Sequence, residues 1–168
     1  MNKQSEKGTA LFLIAVLVAS LLLAYFFTLI YRMDNVNAHP FKIPESTAFS
    51  SEGYLYGIDP VSLTDNTLTI TGWAVRQDRD LTYVNRKVLL VSEKECFALN
   101  TVAWERGLTA YFNTGFSYEL GGFQASCVID SLPKDKQTYR VMLLVTEEEG
   151  NCFCLDLNTE IELKGERR

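Results

Sequence analysis

Hydrophobic and polar positions follow two different patterns along the chain. From Thr9 to Tyr31 the sequence reads TALFLIAVLVASLLLAYFFTLIY, with no charged residue and no proline. Because about 20 apolar residues in a helix cross a hydrocarbon core of about 30 Å, this run predicts a single membrane-spanning helix. From about Gly53 onward, short apolar runs are separated by turn residues at a spacing of roughly ten residues, which predicts an antiparallel all-β sandwich rather than βαβ units.

The strands follow from period-2 alternation. YLYGI is a first strand. Thr67–Val75 is the next, with Leu68 and Ile70 on one face and Thr67, Thr69 and Thr71 on the other. KVLLV (residues 87–91) makes a third, ECFALN continues or follows it, and FQASCVID (123–130) places Ala125, Cys127 and Ile129 inward. TYRVMLLVT (138–146) is apolar on both faces, as a central strand would be, and EEEGN turns the chain into CFCLDL, with TEIEL as a last edge pairing. TVAWERGLTAYF (101–112) breaks the alternation and reads as a short helical or irregular crossover, weakened at Gly107 by about 1 kcal/mol relative to alanine.

The apolar N-terminal run is longer than the apolar region of a signal peptide and leads into Tyr25, Phe26, Phe27 and Tyr31 rather than a small-residue cleavage site, so an uncleaved anchor is expected. Lys3 and Lys7 before it, against Arg32 and the more distant Lys42 after it, favour a cytoplasmic N-terminus. The expected organisation is thus a cytoplasmic segment over residues 1–8, a transmembrane helix over 9–31, a linker over 32–52 and an extracytoplasmic β-sandwich over 53–168. The linker assignment rests on two prolines and several Ser, Thr and Asn residues without apolar periodicity. In the helix, Ala15 with Ala19 and Ser20 with Ala24 form two small-xxx-small pairs, a face on which a partner helix in the bilayer could pack closely.

Charge narrows the possible partners. The chain carries a net charge of −5 and no clustered Lys/Arg stripe, so it lacks the cations that nucleic-acid phosphates require. No nucleic-acid partner is expected. The single histidine, His39, stands before Pro40 in the expected linker, without the orienting group and shaped pocket a catalytic histidine needs.

Carboxylates are the remaining acid–base apparatus. Asp78 and Asp80 flank Arg79, and Glu147, Glu148 and Glu149 sit on the expected hairpin tip. Both groups read as solvated loops, since two-carboxylate catalysis needs the pair to face each other across a pocket. A hydrolase or transferase using Asp78, Asp80 or Asp130 is the third-ranked reading. Calcium binding at Asp78 and Asp80 lacks the necessary ligand count, so no metal and no cofactor is expected.

All four cysteines, Cys96, Cys127, Cys152 and Cys154, lie in the expected outer domain, which suits an oxidising compartment. Four cysteines allow three complete pairings. A bridge from Cys96 to Cys152 or Cys154 would join two neighbouring strand ends, and Cys127 also suits a small core residue.

Trp73 follows Gly72 in the alternating stretch TITGWAV. Strict alternation with Leu68 and Ile70 inward turns Trp73 outward, unless a bulge at Gly72 resets the register. A bulge with Trp73 in the sandwich core is expected over an exposed platform.

The stretches TITGWAV, KVLLVSEKECFAL, WERGLTAYF, GGFQASCVID and LPKDKQTYRVMLL together resemble small Ig-like or fibronectin-like β-sandwich domains of bacterial cell-envelope and glycan-assembly proteins, with their Gly-Trp-Ala strand. The likeness covers roughly residues 53–146. Where that pattern has an acidic residue, this chain reads Arg106-Gly107-Leu108. The resemblance implies a noncatalytic accessory or interaction module of the envelope. Glycan binding is the alternative, through Tyr111, Phe112, Phe116 and Tyr118, whose flat faces could stack on sugars, with core packing as the competing use of at least half of them.

Overall fold

The computed structural model describes residues 3–81, 84–133, 137–148 and 150–163. Glu149 of the expected hairpin tip, Met1, Asn2 and residues 164–168 lie outside them. The chain divides into two compact units, residues 1–36 and 37–168.

The first unit is one helix, α1 (Lys3–Val36). Leucine, alanine and valine favour it, and no proline interrupts it. Within it Leu13–Tyr31, 19 residues of mean hydropathy 2.7 with no part of the segment buried, is long and apolar enough to cross a membrane. Ser20 and Thr28 turn their hydroxyls back onto the helix, donating to the carbonyls of Val16 and Ala24 at 2.8 and 2.9 Å, so neither leaves an unsatisfied polar group on the apolar surface.

Among the described residues, the second unit has ten strands in two antiparallel sheets. They are β1 (His39–Pro40), β2 (Tyr54–Ile58), β3 (Ser62–Thr64), β4 (Thr67–Arg76), β5 (Val84–Val91), β6 (Cys96–Ala98), β7 (Asn100–Trp104), β8 (Gly122–Val128), β9 (Gln137–Glu147) and β10 (Cys152–Leu163). Sheet I has the order β2-β4-β8-β7, with β3 beside the first part of β4; sheet II has the order β1-β6-β5-β9-β10. Asp59-Pro60 separates β2 from β3 along the same edge of β4, where proline's missing N–H is tolerated. The core between the sheets takes Leu68, Ile70, Phe123 and Ala125 from sheet I and Val88, Leu90, Val141 and Leu143 from sheet II, all at most 1% exposed.

Three segments differ from the sequence expectation. Residues 100–104 of the expected crossover form β7, because Thr101 and Val102 are β-branched and the alternating register pairs with β8; only Leu108–Phe112 is helical (α2). CFCLDL and TEIEL form one strand, β10, with a register shift between Asp156 and Thr159 where Asn158 adopts a φ of +52°.

The third difference concerns the expected linker. Helix α1 runs to Val36, Asn37 bridges Val128 of sheet I, and residues 39–48 form a strap on sheet II. Pro40 pairs with Phe97, the Phe41 N–H donates to the Cys96 carbonyl at 2.8 Å, and Ala48 exchanges hydrogen bonds of 2.9 and 2.8 Å with Cys152 and Cys154. Phe41 and Ile43 cover Leu89, Met142, Leu144 and Cys154. The cause is legible in the second half of β5 and in β9: Val88–Val91 and Val141–Val145 are apolar on both faces, so the outer face of sheet II also requires cover.

Candidate functional site

Gly72 makes no bulge. It pairs with Ile58 on one side and Phe123 on the other, and Trp73 pairs with Gly57 and Gly122 in unbroken register. The inward slot at Gly72 is occupied by its neighbour: a Cβ there would lie 2.6 Å from the Phe123 ring. Alternation therefore persists, and Trp73 stands on the outer face of sheet I instead of between the sheets. Its indole lies over Gly57, where a Cβ would come within 2.7 Å of Nε1.

Trp73 belongs there to a second, small apolar cluster. It meets Phe112 edge-on at 5.3 Å, and Phe112 meets Tyr118 at 5.8 Å. Val75, Leu108 and Tyr118 are buried at its centre, with Phe116 packed against it. Helix α2 is held over the sheet by left-handed residues at both ends, Gly107 and Asn113, and the Tyr118 N–H donates to Thr109 Oγ1 at 2.7 Å. Of the four aromatics considered for stacking on sugars, Tyr118 is 1% exposed and belongs to this cluster, Phe112 and Phe116 are half-buried, and Tyr111 is 78% exposed.

Beside the cluster the register lays out three cross-strand rows on the outer face of sheet I: Ser62, Thr69, Ser126 and Asn100; then Thr71, Gln124 and Val102; then Gly57, Trp73, Gly122 and Trp104. Arg106 lies across the third row, its Cγ 2.9 Å from where a Cβ of Gly122 would stand. It reaches Asp59 through two hydrogen bonds, Nη1 to Oδ2 at 2.7 Å and Nη2 to Oδ1 at 3.0 Å. Thr71 Oγ1 donates to the same carboxylate at 2.9 Å. The Arg106 guanidinium holds the Asp59 carboxyl below its ordinary range. Nothing in the sequence pairs Asp59 with Arg106 across 47 residues; only the fold does.

Two further polar groups join the sheets. Glu147, expected on a solvated hairpin tip, accepts from Tyr54 Oη at 2.7 Å and Arg76 Nη1 at 3.0 Å. The Arg76 guanidinium lies over the Tyr54 and Phe153 rings at 5.1 and 5.2 Å. Burial, reinforced by the bond to Glu147, pushes the Tyr54 hydroxyl up to about 12. At the same end of β5, Arg86 is buried and donates to the carbonyls of Leu120, Gly121 (2.6 Å) and Gly122 (3.2 Å), which bind it to the turn before β8. Desolvation lowers its guanidinium to about 10, so it stays charged at neutral pH.

The cysteines are unpaired. Cys96 lies on β6 and Cys152 and Cys154 on β10, with β5 and β9 between them, so they are not on neighbouring strands. Two intervening strands at about 4.8 Å spacing exceed the Cα separation a disulfide spans. Cys127 is in the core of the sandwich, and burial pushes its thiol, like that of Cys154, up to about 12.

The three aspartates do not converge. Asp80 accepts the Ser117 N–H at 2.7 Å beyond one end of β4, near the exposed Asp78, whereas Asp130 accepts from Asn66 at 2.8 Å at the other. A ten-residue strand, about 30 Å long, separates them. Among the described residues no three His, Cys, Asp or Glu side chains are grouped to hold a metal ion. In comparisons with known proteins, no family model, no curated protein and no solved structure matches the chain.

Proposed function

We propose that this chain is a membrane-tethered, noncatalytic interaction module, with its β domain displayed on the extracytoplasmic side as an accessory component of a bacterial cell envelope. The observation that carries the reading is the combination of an apolar span, Leu13–Tyr31, with a β domain that exposes large apolar side chains where β7 runs into α2 and β8 begins. Val102 is 52%, Trp104 47%, Tyr111 78% and Leu120 52% exposed. Grouped apolar side chains of this size on a soluble face mark interaction surfaces.

The domain is read as Ig-like. With β2, β4, β5, β6, β7, β8, β9 and β10 as strands A, B, C, C′, D, E, F and G, sheet I takes the order A-B-E-D and sheet II carries C′-C-F-G. That is the strand order of immunoglobulin-type sandwiches. Tyr139, buried near the start of β9, stands where such domains place a corner tyrosine. The orientation rests on Lys3 and Lys7 before the span.

In-cell photo-crosslinking tests the reading, with a photoreactive residue placed at Tyr111 or Trp104 and, as a control, at the exposed Glu160 on sheet II. The expected result is a discrete envelope adduct from positions 111 and 104 and none from 160. Equal labelling from all three positions, or adducts with cytoplasmic proteins, would overturn it.

A further inference from the structure

The outer face of sheet I differs from an ordinary solvated sheet face. Such a face usually alternates apolar residues with Lys, Glu and other charged groups. Here the outward positions of β4 and β8 beyond Trp73 and Gly122 are Thr71 and Gln124, Thr69 and Ser126, and at the end Thr67 and Val128, all uncharged. Hydroxyls and amides both donate and accept hydrogen bonds. They stand on a lattice of about 4.8 Å between strands and about 6.8 Å between rows.

One side of this lattice is bordered by the half-exposed indole of Trp104. Arg106 and Asp59, whose pair crosses this face, are joined to each other by two hydrogen bonds, and the exposed Glu105 follows Trp104 in the chain. Bonding of Thr71 to Asp59 at 2.9 Å fixes its hydroxyl.

We propose that this face binds a neutral, hydroxyl-rich saccharide chain, which stacks a sugar ring on Trp104 and exchanges hydrogen bonds with Thr71, Gln124 and Ser126. Charge complementarity selects the ligand class: among the described residues of these rows an anionic polymer meets no cation, the Arg106 guanidinium beside them is held by Asp59, and the chain has a net charge of −5. A second protein copy is a poorer fit, because a stable protein interface needs an apolar, desolvated centre, and in the two rows beyond Trp73 the one apolar side chain is Val102, at the β7 edge, among hydroxyls and amides. The saccharide site lies beside the Tyr111 to Tyr118 aromatics rather than on them. It deepens the interaction-module reading and rests on it for access to extracellular glycan.

The test uses the full chain in detergent micelles, titrated with soluble neutral oligosaccharides of glucose, mannose and galactose, with hyaluronan as the anionic comparison. Binding is read by calorimetry. At least one neutral series binds, Trp104→Ala weakens it by about tenfold through loss of the stacked ring, and Trp104→Phe retains most of it. Gln124→Ala weakens it by several-fold, whereas Glu160→Ala, on the exposed side of sheet II, leaves it unchanged. The circular dichroism and thermal midpoint of each variant establish that the domain is folded.

Absence of neutral saccharide binding, preferential binding of hyaluronan, or wild-type affinity in both Trp104→Ala and Gln124→Ala would overturn the proposal. So would a sedimentation change from dimer to monomer on Trp104→Ala, which would assign the face to a second copy. Loss of saccharide binding with the crosslinks from positions 111 and 104 intact would strike the saccharide assignment alone. Loss of those crosslinks with binding intact would strike the interaction-module reading instead.

Discussion

Arg106 crosses the backbone at Gly122 to end on Asp59, with Nη1–Oδ2 and Nη2–Oδ1 distances of 2.7 and 3.0 Å. The two residues come from opposite edges of sheet I, so the pair ties the segment after β7 to the end of β2. Glycine at 122 is what permits the crossing, since a Cβ would meet the Trp104 carbonyl and the Arg106 side chain.

Asp59→Asn tests the pair. Both side chains are partly solvated, at 29% and 37% exposure, so the expected loss of folding stability is about 1 kcal/mol or less. The Asp59 carboxyl is lowered in the folded state, chiefly by its bonds to Arg106. Its contribution is therefore complete above the ordinary aspartate value of about 4 and declines as pH falls through the lowered folded value. The difference between wild type and Asp59→Asn in urea midpoint should hold constant from pH 6 to 8 and shrink below about pH 4; a difference that grows on acidification would contradict it.

Gly72→Ala places a methyl 2.5 Å from the Gly57 carbonyl oxygen and 2.6 Å from the Phe123 ring. Overpacking at the centre of the sandwich should cost about 1–3 kcal/mol, read as a lower thermal midpoint. Gly57→Ala instead collides with Trp73 Nε1 at 2.7 Å and should also displace the indole, read as a shift in tryptophan emission. Unchanged emission in Gly57→Ala would place Trp73 elsewhere.

Arg86 is a buried cation held by three carbonyls. Arg86→Met leaves those carbonyls without their donor and should destabilise the domain by about 2–4 kcal/mol in chemical denaturation. Arg86→Lys retains the charge but not the planar fork and should recover only part of the loss. Wild-type stability in Arg86→Met would refute the assignment.

Thiol labelling at pH 8 should separate the four cysteines. Cys127 and Cys154 are buried with thiols pushed up to about 12, which leaves about one thiolate in ten thousand. They should react only on unfolding. The half-buried Cys152 should react first in the folded protein, and labelling of Cys127 at the same rate would contradict the core placement.

Strand positions and the inward face of Leu68, Ile70, Ala125 and Cys127 were readable from alternation, because a half-buried strand repeats every two residues. Two features were not readable. The unbroken register at Gly72 depends on Phe123, 51 positions away in the chain, whose ring fills the space a side chain would take. The strap over sheet II contains prolines and polar residues and resembles a linker locally; its role follows from the apolar outer faces of β5 and β9, and that excess was visible in KVLLV and VMLLV. The site is less legible still: Asp59 with Arg106, and Tyr54 with Arg76 and Glu147, are pairings between distant segments that no local pattern encodes.

The most direct measurement is the accessibility of a cysteine placed at the exposed Tyr111 position. Cells carrying Tyr111→Cys in a background with the four native cysteines replaced are treated with a membrane-impermeant maleimide before and after lysis. The account predicts full labelling in cells whose inner membrane is intact. Labelling only after lysis would place the β domain in the cytoplasm and contradict its display on the extracytoplasmic side.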